Sequence, residues 1–209
     1  MSVGALLVDV RLMAEQARDM AQAWMLAPDM TAEQVQDELS GMLGGFVGSA
    51  SVFAAGWYNE LNPESNFAAD IDDDLPDEKI ANVASWVFSG PQSPQSRIKV
   101  AAHRLVFDAA RRTVQVNAMA EGVAMARHED AGCCTKCMAR ATTVEKPRKG
   151  RSDDVDQFFH PTCEGMFVPV RKGLYEPPSH AREWHPKIEA ARLAGNSDSD
   201  SIANWLSAH

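Results

Sequence analysis

Two short clusters of metal-binding residue types stand out in this sequence: Cys134-Thr135-Lys136-Cys137 and His160-Pro161-Thr162-Cys163. All four cysteines of the chain lie at positions 133, 134, 137 and 163. Two knuckles that each offer two ligands, joined by a loop, can wrap a tetrahedral zinc ion. The expected ligands are Cys134, Cys137, His160 and Cys163, with Cys133 as the substitute if the register is off by one. Four protein donors leave no place for an activated water, so the expected Zn2+ is structural. Other readings stay open. Adjacent Cys133 and Cys134 frame two disulfides awkwardly, and no secretory leader is expected at the start of the chain. A thioredoxin-like redox pair needs a βαβ context, whereas a helical pattern precedes this one. Buried thiols without metal are the plainest alternative.

Between the knuckles lies a basic tip with Lys146, Arg148, Lys149 and Arg151. A solvated hairpin is the simpler reading of it and a phosphate contact the second. So few charges would make such a contact weak and salt-sensitive. Catalytic signatures are sparse. There is no Gly-x-Ser-x-Gly elbow, no glycine-rich phosphate loop and no His-Glu-x-x-His. None of the six histidines stands in a nucleophile–base pattern. The expectation is a protein that is not an enzyme.

The elements that must position the knuckles are mostly helical. Leu6, Val10, Met13, Ala17, Met20 and Trp24 recur in steps of four and three, which predicts a helix over 5–26. Thr31 with Gln34 makes a capping box for a second helix striped by Val35, Leu39, Met42, Phe46, Phe53 and Trp57. Its glycines, at 41, 44, 45, 48 and 56, call for a closely approaching neighbour or for a break near Gly44-Gly45. An acidic connector over 62–77 precedes a short helix that Pro76 starts. Another helix spans 95–120, with Ile98, Ala102, Leu105, Ala109, Val116 and Met119 on one side and Arg104, Arg111 and Arg112 elsewhere. Residues 122–128 read as a strand that feeds the knuckle and pairs with Met166–Val170. Helices near 184–194 and 201–208 close the chain, the last needing a docking surface because it is short. The fold class is mainly α with a small α+β zinc-ribbon-like module. Its expected parts are a helical domain over 1–121, the Cys/His module over 122–175 and a helical tail over 176–209.

At 209 residues and 45% hydrophobic composition the chain can bury a substantial core. No uninterrupted apolar run is expected to be long enough to span a bilayer; Met42 to Trp57 is nearest, and glycine and serine dilute it. Charge is uneven: residues 1–90 hold 3 Lys+Arg against 15 Asp+Glu, and residues 91–209 hold 17 against 14. An acidic first part and a mildly basic second argue against a general nucleic-acid binder. They leave room for a local contact with nucleic acid and for protein partners.

The CxxC pair, the variable insert, Phe159-His160-Pro161-Thr162-Cys163 and the run ending Val168-Pro169-Val170 together resemble the C-terminal module of phage Mu F-like minor head proteins, in the form found in tailed phages of actinobacteria. The tail from Trp184 to Arg192 resembles the helix that closes those proteins. One departure is that Gly165 stands where the family often has a further cysteine. The resemblance implies a structural role in head morphogenesis, inside the virion near the portal after assembly in the host cytoplasm. It implies portal or major capsid proteins as partners, packaged DNA as a further contact, several copies and no membrane. A capsid maturation protease and a nucleic-acid-binding zinc protein are the alternatives.

Overall fold

The computed structural model describes residues 3–26, 31–72, 77–89, 91–141, 144–145, 159, 163–171 and 175–209. Mainly helical, it carries a small three-stranded sheet and a cysteine cluster, as the sequence predicts. Four helices make the bundle: α1 (Val3–Met25), α2 (Ala32–Glu60), α3 (Asp77–Ser89) and α4 (Pro94–Glu121). There follow β1 (Ala124–His128), α5 (Thr135–Ala141), β2 (Val144–Glu145), β3 (Met166–Val170), α6 (Ser179–Leu193) and α7 (Ser199–Ala208).

Local chemistry sets the helix ends. Thr31 accepts from the Gln34 amide while the Gln34 side chain accepts from the Thr31 amide, so the predicted capping box forms. Ser93 caps α4, with Pro94 in its first turn. That helix ends at Gly122, whose φ of 78° lets its own amide and that of Val123 return to the carbonyls of the last turn. Gly195, at φ 94°, ends α6 in the same way.

α4 is the centre of the bundle, and α1, α2 and α3 all pack on it. Leu105, Val106, Phe107, Ala109 and Ala110 are all buried, so the helix is covered on almost every side. The predicted stripes need correction. α1 buries Leu6, Leu7, Val10, Ala14, Ala17 and Ala21, and leaves Met20 exposed. α2 buries Leu39, Leu43, Val47, Ala50, Ala54 and Trp57, and leaves Phe53 exposed. Where two helix axes approach closely, alanine fits between them and a larger side chain is turned outward. α2 is unbroken through Gly44 and Gly45. A side chain at Gly41, Gly45, Gly48 or Gly56 would meet open space, so no neighbour among the described residues requires glycine there. The Glu33–Glu60 stretch is also long and apolar enough, by length and composition, to cross a membrane. Glycine and serine dilute its hydropathy without adding charge, and in the bundle its buried side belongs to the core.

β1 lies between β2 and β3 and is antiparallel to both, with Arg127 opposite Phe167 and His128 opposite Met166. This is the predicted pairing of β1 with Met166–Val170. The main core continues from the bundle into Met125, Cys137, Phe159, Cys163 and Met166. A second core joins Ala139 and Ala141 of α5 to Trp184, Ile188 and Ala191 of α6 and to Ile202 of α7. The docking surface that α7 needs is therefore α5 and α6.

Candidate metal centre

Three elements bring the cysteines together. Past the end of β1 the chain keeps the two-residue alternation of a strand, which sets Arg127 and Glu129 on one side. It then turns through Ala131-Gly132, and the carbonyl of Cys134 accepts the bond that opens α5. Cys137, in the first turn of α5, is 1% exposed. The pair does not follow the ribbon geometry expected of it: the strand leads into a turn and a helix. A CxxC spacing suits the first turn of a helix, where positions three apart share a face.

Cys163 approaches from the other side, on the segment before β3, and is also buried. That segment is held by α4. Arg111, 1% exposed, donates from Nε to the Gly165 carbonyl at 2.9 Å and from Nη2 to the Cys163 carbonyl at 2.6 Å. Its Nη1 donates to Asp108 at 3.0 Å. The guanidinium carbon sits 3.8 Å over the ring of Phe159, and that of Arg127 lies 4.0 Å from the same ring.

At the centre the Sγ atoms of Cys137 and Cys163 are 3.5 Å apart, and those of Cys134 and Cys137 are 3.6 Å apart. Glu129 is buried with them, its carboxylate oxygens 3.4 and 3.6 Å from Cys163 Sγ. One donor atom each from Glu129, Cys137 and Cys163 falls within 4.8 Å of the others. Arg127 pairs with Glu129, and its Nη2 reaches Cys163 Sγ at 3.2 Å and Cys137 Sγ at 3.4 Å. The Gly165 amide donates to Cys163 Sγ at 3.3 Å. None of the four cysteines forms a disulfide with another among the described residues. The cluster opens on a pocket of about 530 Å³ that Cys133, Cys134 and Glu164 also line.

The electrostatics single out one sulfur. The hydrogen bond from Cys137, then the charges of Arg111 and Arg127 and the Gly165 amide, hold Cys163 well below the usual thiol range against the effect of burial. Giving that hydrogen bond, together with burial, pushes Cys137 up. Burial, with Glu129 adding to it, pushes Cys133 up to about 12. Glu129 is pushed up to about 7 by burial, with Arg127 opposing and Cys163 adding. Thiolate is the form that binds metal, so Cys163 is the sulfur best prepared for it. Converging, buried sulfur donors beside a carboxylate suit a borderline-soft divalent ion such as zinc. Held by Cys134, Cys137, Cys163 and their neighbours, such an ion would cross-link the segments that carry them.

Of the four expected ligands, the structure brings Cys137 and Cys163 together, and sets the exposed Cys134 beside Cys137 but outside the group of mutually close donors. His160 lies outside the described residues, as do Lys146, Arg148, Lys149 and Arg151. Three residues of the cluster went unread in the sequence: Glu129, Arg127 and Arg111. The alternation of β1 was a signal for the first two, since it carries residues 127 and 129 to one side. Arg111 gave none, because an arginine in a helix is ordinarily a surface residue.

Comparison with known proteins gives a match to the VG15 protein family over residues 8–191, from α1 into α6. No curated protein and no solved structure matches the chain.

Proposed function

Because the chain belongs to the VG15 protein family, a family of phage proteins, we propose that it is a structural protein of the phage head, of the Mu F-like minor capsid kind. The match supports a phage protein, and what carries the head reading is the likeness of the cysteine module from Cys134 to Val170, which the match takes in together with the helical bundle. The physical organisation fits it. The bundle core and the cysteine cluster are continuous, and Arg111 ties the Cys163 segment to the central helix. A bound zinc would fasten a loop-rich module that has little core of its own. The product is a rigid knob on a helical body, suited to docking against portal or major capsid proteins inside the head, beside the packaged DNA. No reaction is required of it.

The test is to purify particles of the phage that encodes the chain, cross-link them and identify the chain and its partners by mass spectrometry. The proposal expects the chain in DNA-filled heads, cross-linked to portal or major capsid protein. Its absence from particles overturns the structural role. Cleavage of head proteins on co-expression, absent from the empty-vector control, would replace that role with a maturation protease.

A further inference from the structure

We propose that Glu129 is a metal ligand, completing with Cys134, Cys137 and Cys163 a centre of three thiolates and one carboxylate. The inference rests on the reading of the cysteine cluster as a structural zinc site and names its fourth donor.

Three observations converge on Glu129. First, its carboxylate lies within coordinating reach of the group: one of its oxygens, Cys137 Sγ and Cys163 Sγ are within 4.8 Å of one another. Glu129 is 2% exposed and paired with Arg127 on one side, and it lines the pocket on which the cluster opens; Cys134, 3.6 Å from Cys137 Sγ, stands at the edge of the group.

Second, the space has a single claimant. A Cβ built at Gly165 would collide with the carboxyl carbon and both oxygens of Glu129. Position 165, two residues beyond Cys163, is where a further cysteine would reach the cluster. Here glycine clears that volume and the carboxylate of Glu129, just past β1, fills it. The two positions are alternative sources of one donor.

Third, the charges balance. Three thiolates and a carboxylate around a divalent ion carry a net charge of about −2, which a buried site holds only against fixed cations. Two are present. Arg127 touches two of the sulfurs and Glu129. Arg111 lies behind Cys163, and its partner Asp108 is shared with Arg104, so two guanidiniums face one carboxylate there.

The experiment uses the full chain, with zinc content measured per chain, zinc affinity measured by chelator competition, and the electronic spectrum of the cobalt(II)-substituted protein. The variants are E129Q, H160A and the exchange E129G/G165C. Expected are one zinc per wild-type chain, a loss of affinity of about 100-fold or more in E129Q, and an H160A affinity within about twofold of wild type. Removing a group that merely supports a ligand already costs about 10–100-fold, so losing a donor costs at least that. The exchange restores tight binding and strengthens the sulfur-to-cobalt band, because a fourth thiolate replaces the carboxylate. Unchanged affinity and cobalt spectrum in E129Q, or loss of metal in H160A alone, overturns the assignment of Glu129 while leaving a zinc site. A wild-type chain that takes up no zinc removes the site itself. Should E129Q fail to fold, the exchange variant decides: folded by circular dichroism and binding cobalt as tightly as wild type with no stronger sulfur-to-cobalt band, it refutes the proposal.

Discussion

Arg111→Met is the most informative single substitution. Methionine replaces the apolar stem of the side chain and removes the guanidinium, so any cavity is small and the polar losses dominate. The Gly165 and Cys163 carbonyls lose their donors at 2.9 and 2.6 Å. A buried carbonyl left without a partner costs about 1–3 kcal/mol. The contact of the guanidinium with Phe159, at 3.8 Å, contributes on the order of 2 kcal/mol when desolvated. Asp108 keeps Arg104 at 3.2 Å, so its charge is not abandoned. Against these losses stands relief from desolvating a fully buried cation, which is the largest influence on Arg111 and disfavours its charged form. Breaking a buried ion pair by removing one member costs about 3–5 kcal/mol overall. At roughly 2–4 °C per kcal/mol for a chain of this size, the melting temperature should fall by about 6–20 °C. Scanning calorimetry of wild type and R111M measures it. A fall under about 2 °C would refute the argument that these bonds hold the Cys163 segment to α4.

Four further outcomes follow from the geometry. Glu121 receives Tyr58 at 2.6 Å and both nitrogens of Arg171, at 3.0 and 2.5 Å. Burial alone would raise its pKa, and the Arg171 and Tyr58 hydrogen bonds overcome that and hold it below the usual carboxylate range. A depressed carboxylate stabilises the fold fully above its unfolded pKa of about 4.3 and loses that contribution as pH falls through its folded value. The stability difference between wild type and E121Q, from urea titrations, should thus be constant at neutral pH and shrink on acidification; a difference independent of pH contradicts this. Gly122→Ala forces a side chain into φ 78° with open space around it, so the cost is backbone strain alone, about 1 kcal/mol, read as a lower urea midpoint at unchanged slope. Thr31→Ala, which removes the capping-box acceptor, should cost a similar ~1 kcal/mol by the same measurement. Stripping metal with a chelator, or Cys137→Ser, should alter near-UV circular dichroism and protease resistance around 130–170 while far-UV helicity stays nearly constant; an unchanged digestion pattern counts against a structural metal.

Much of this architecture can be read along the chain, and the misses share one physical origin. Caps and strand pairing depend on near neighbours or on simple alternation, which is why Thr31–Gln34 and the pairing of β1 with β3 were foreseeable. Which face of a helix is buried depends on what packs against it. Ala14, Ala21, Ala50 and Ala54 carry little hydrophobic weight, yet they are buried where Met20 and Phe53 are not, because close helix approach selects for small volume. The cluster divides in the same way. Cysteine spacing announces three sulfurs, but a glutamate just after a strand and an arginine in mid-helix look like surface residues until the fold places them beside the thiols.

β3 is fastened to α4 at two places: ahead of its first residue through Arg111, and just beyond its last through Arg171 and Glu121. Residues 111 and 121 are ten apart, a lever arm of about 15 Å along the helix axis. A plate bolted at two such points can neither swivel nor slide. Releasing one bolt leaves a pivot, and the sheet would then swing about the other end while each element kept its own shape. Stiffness of this assembly is therefore a property of two arginines set apart along one helix and one strand end, and a force applied to the knob is passed straight into the axis of the bundle.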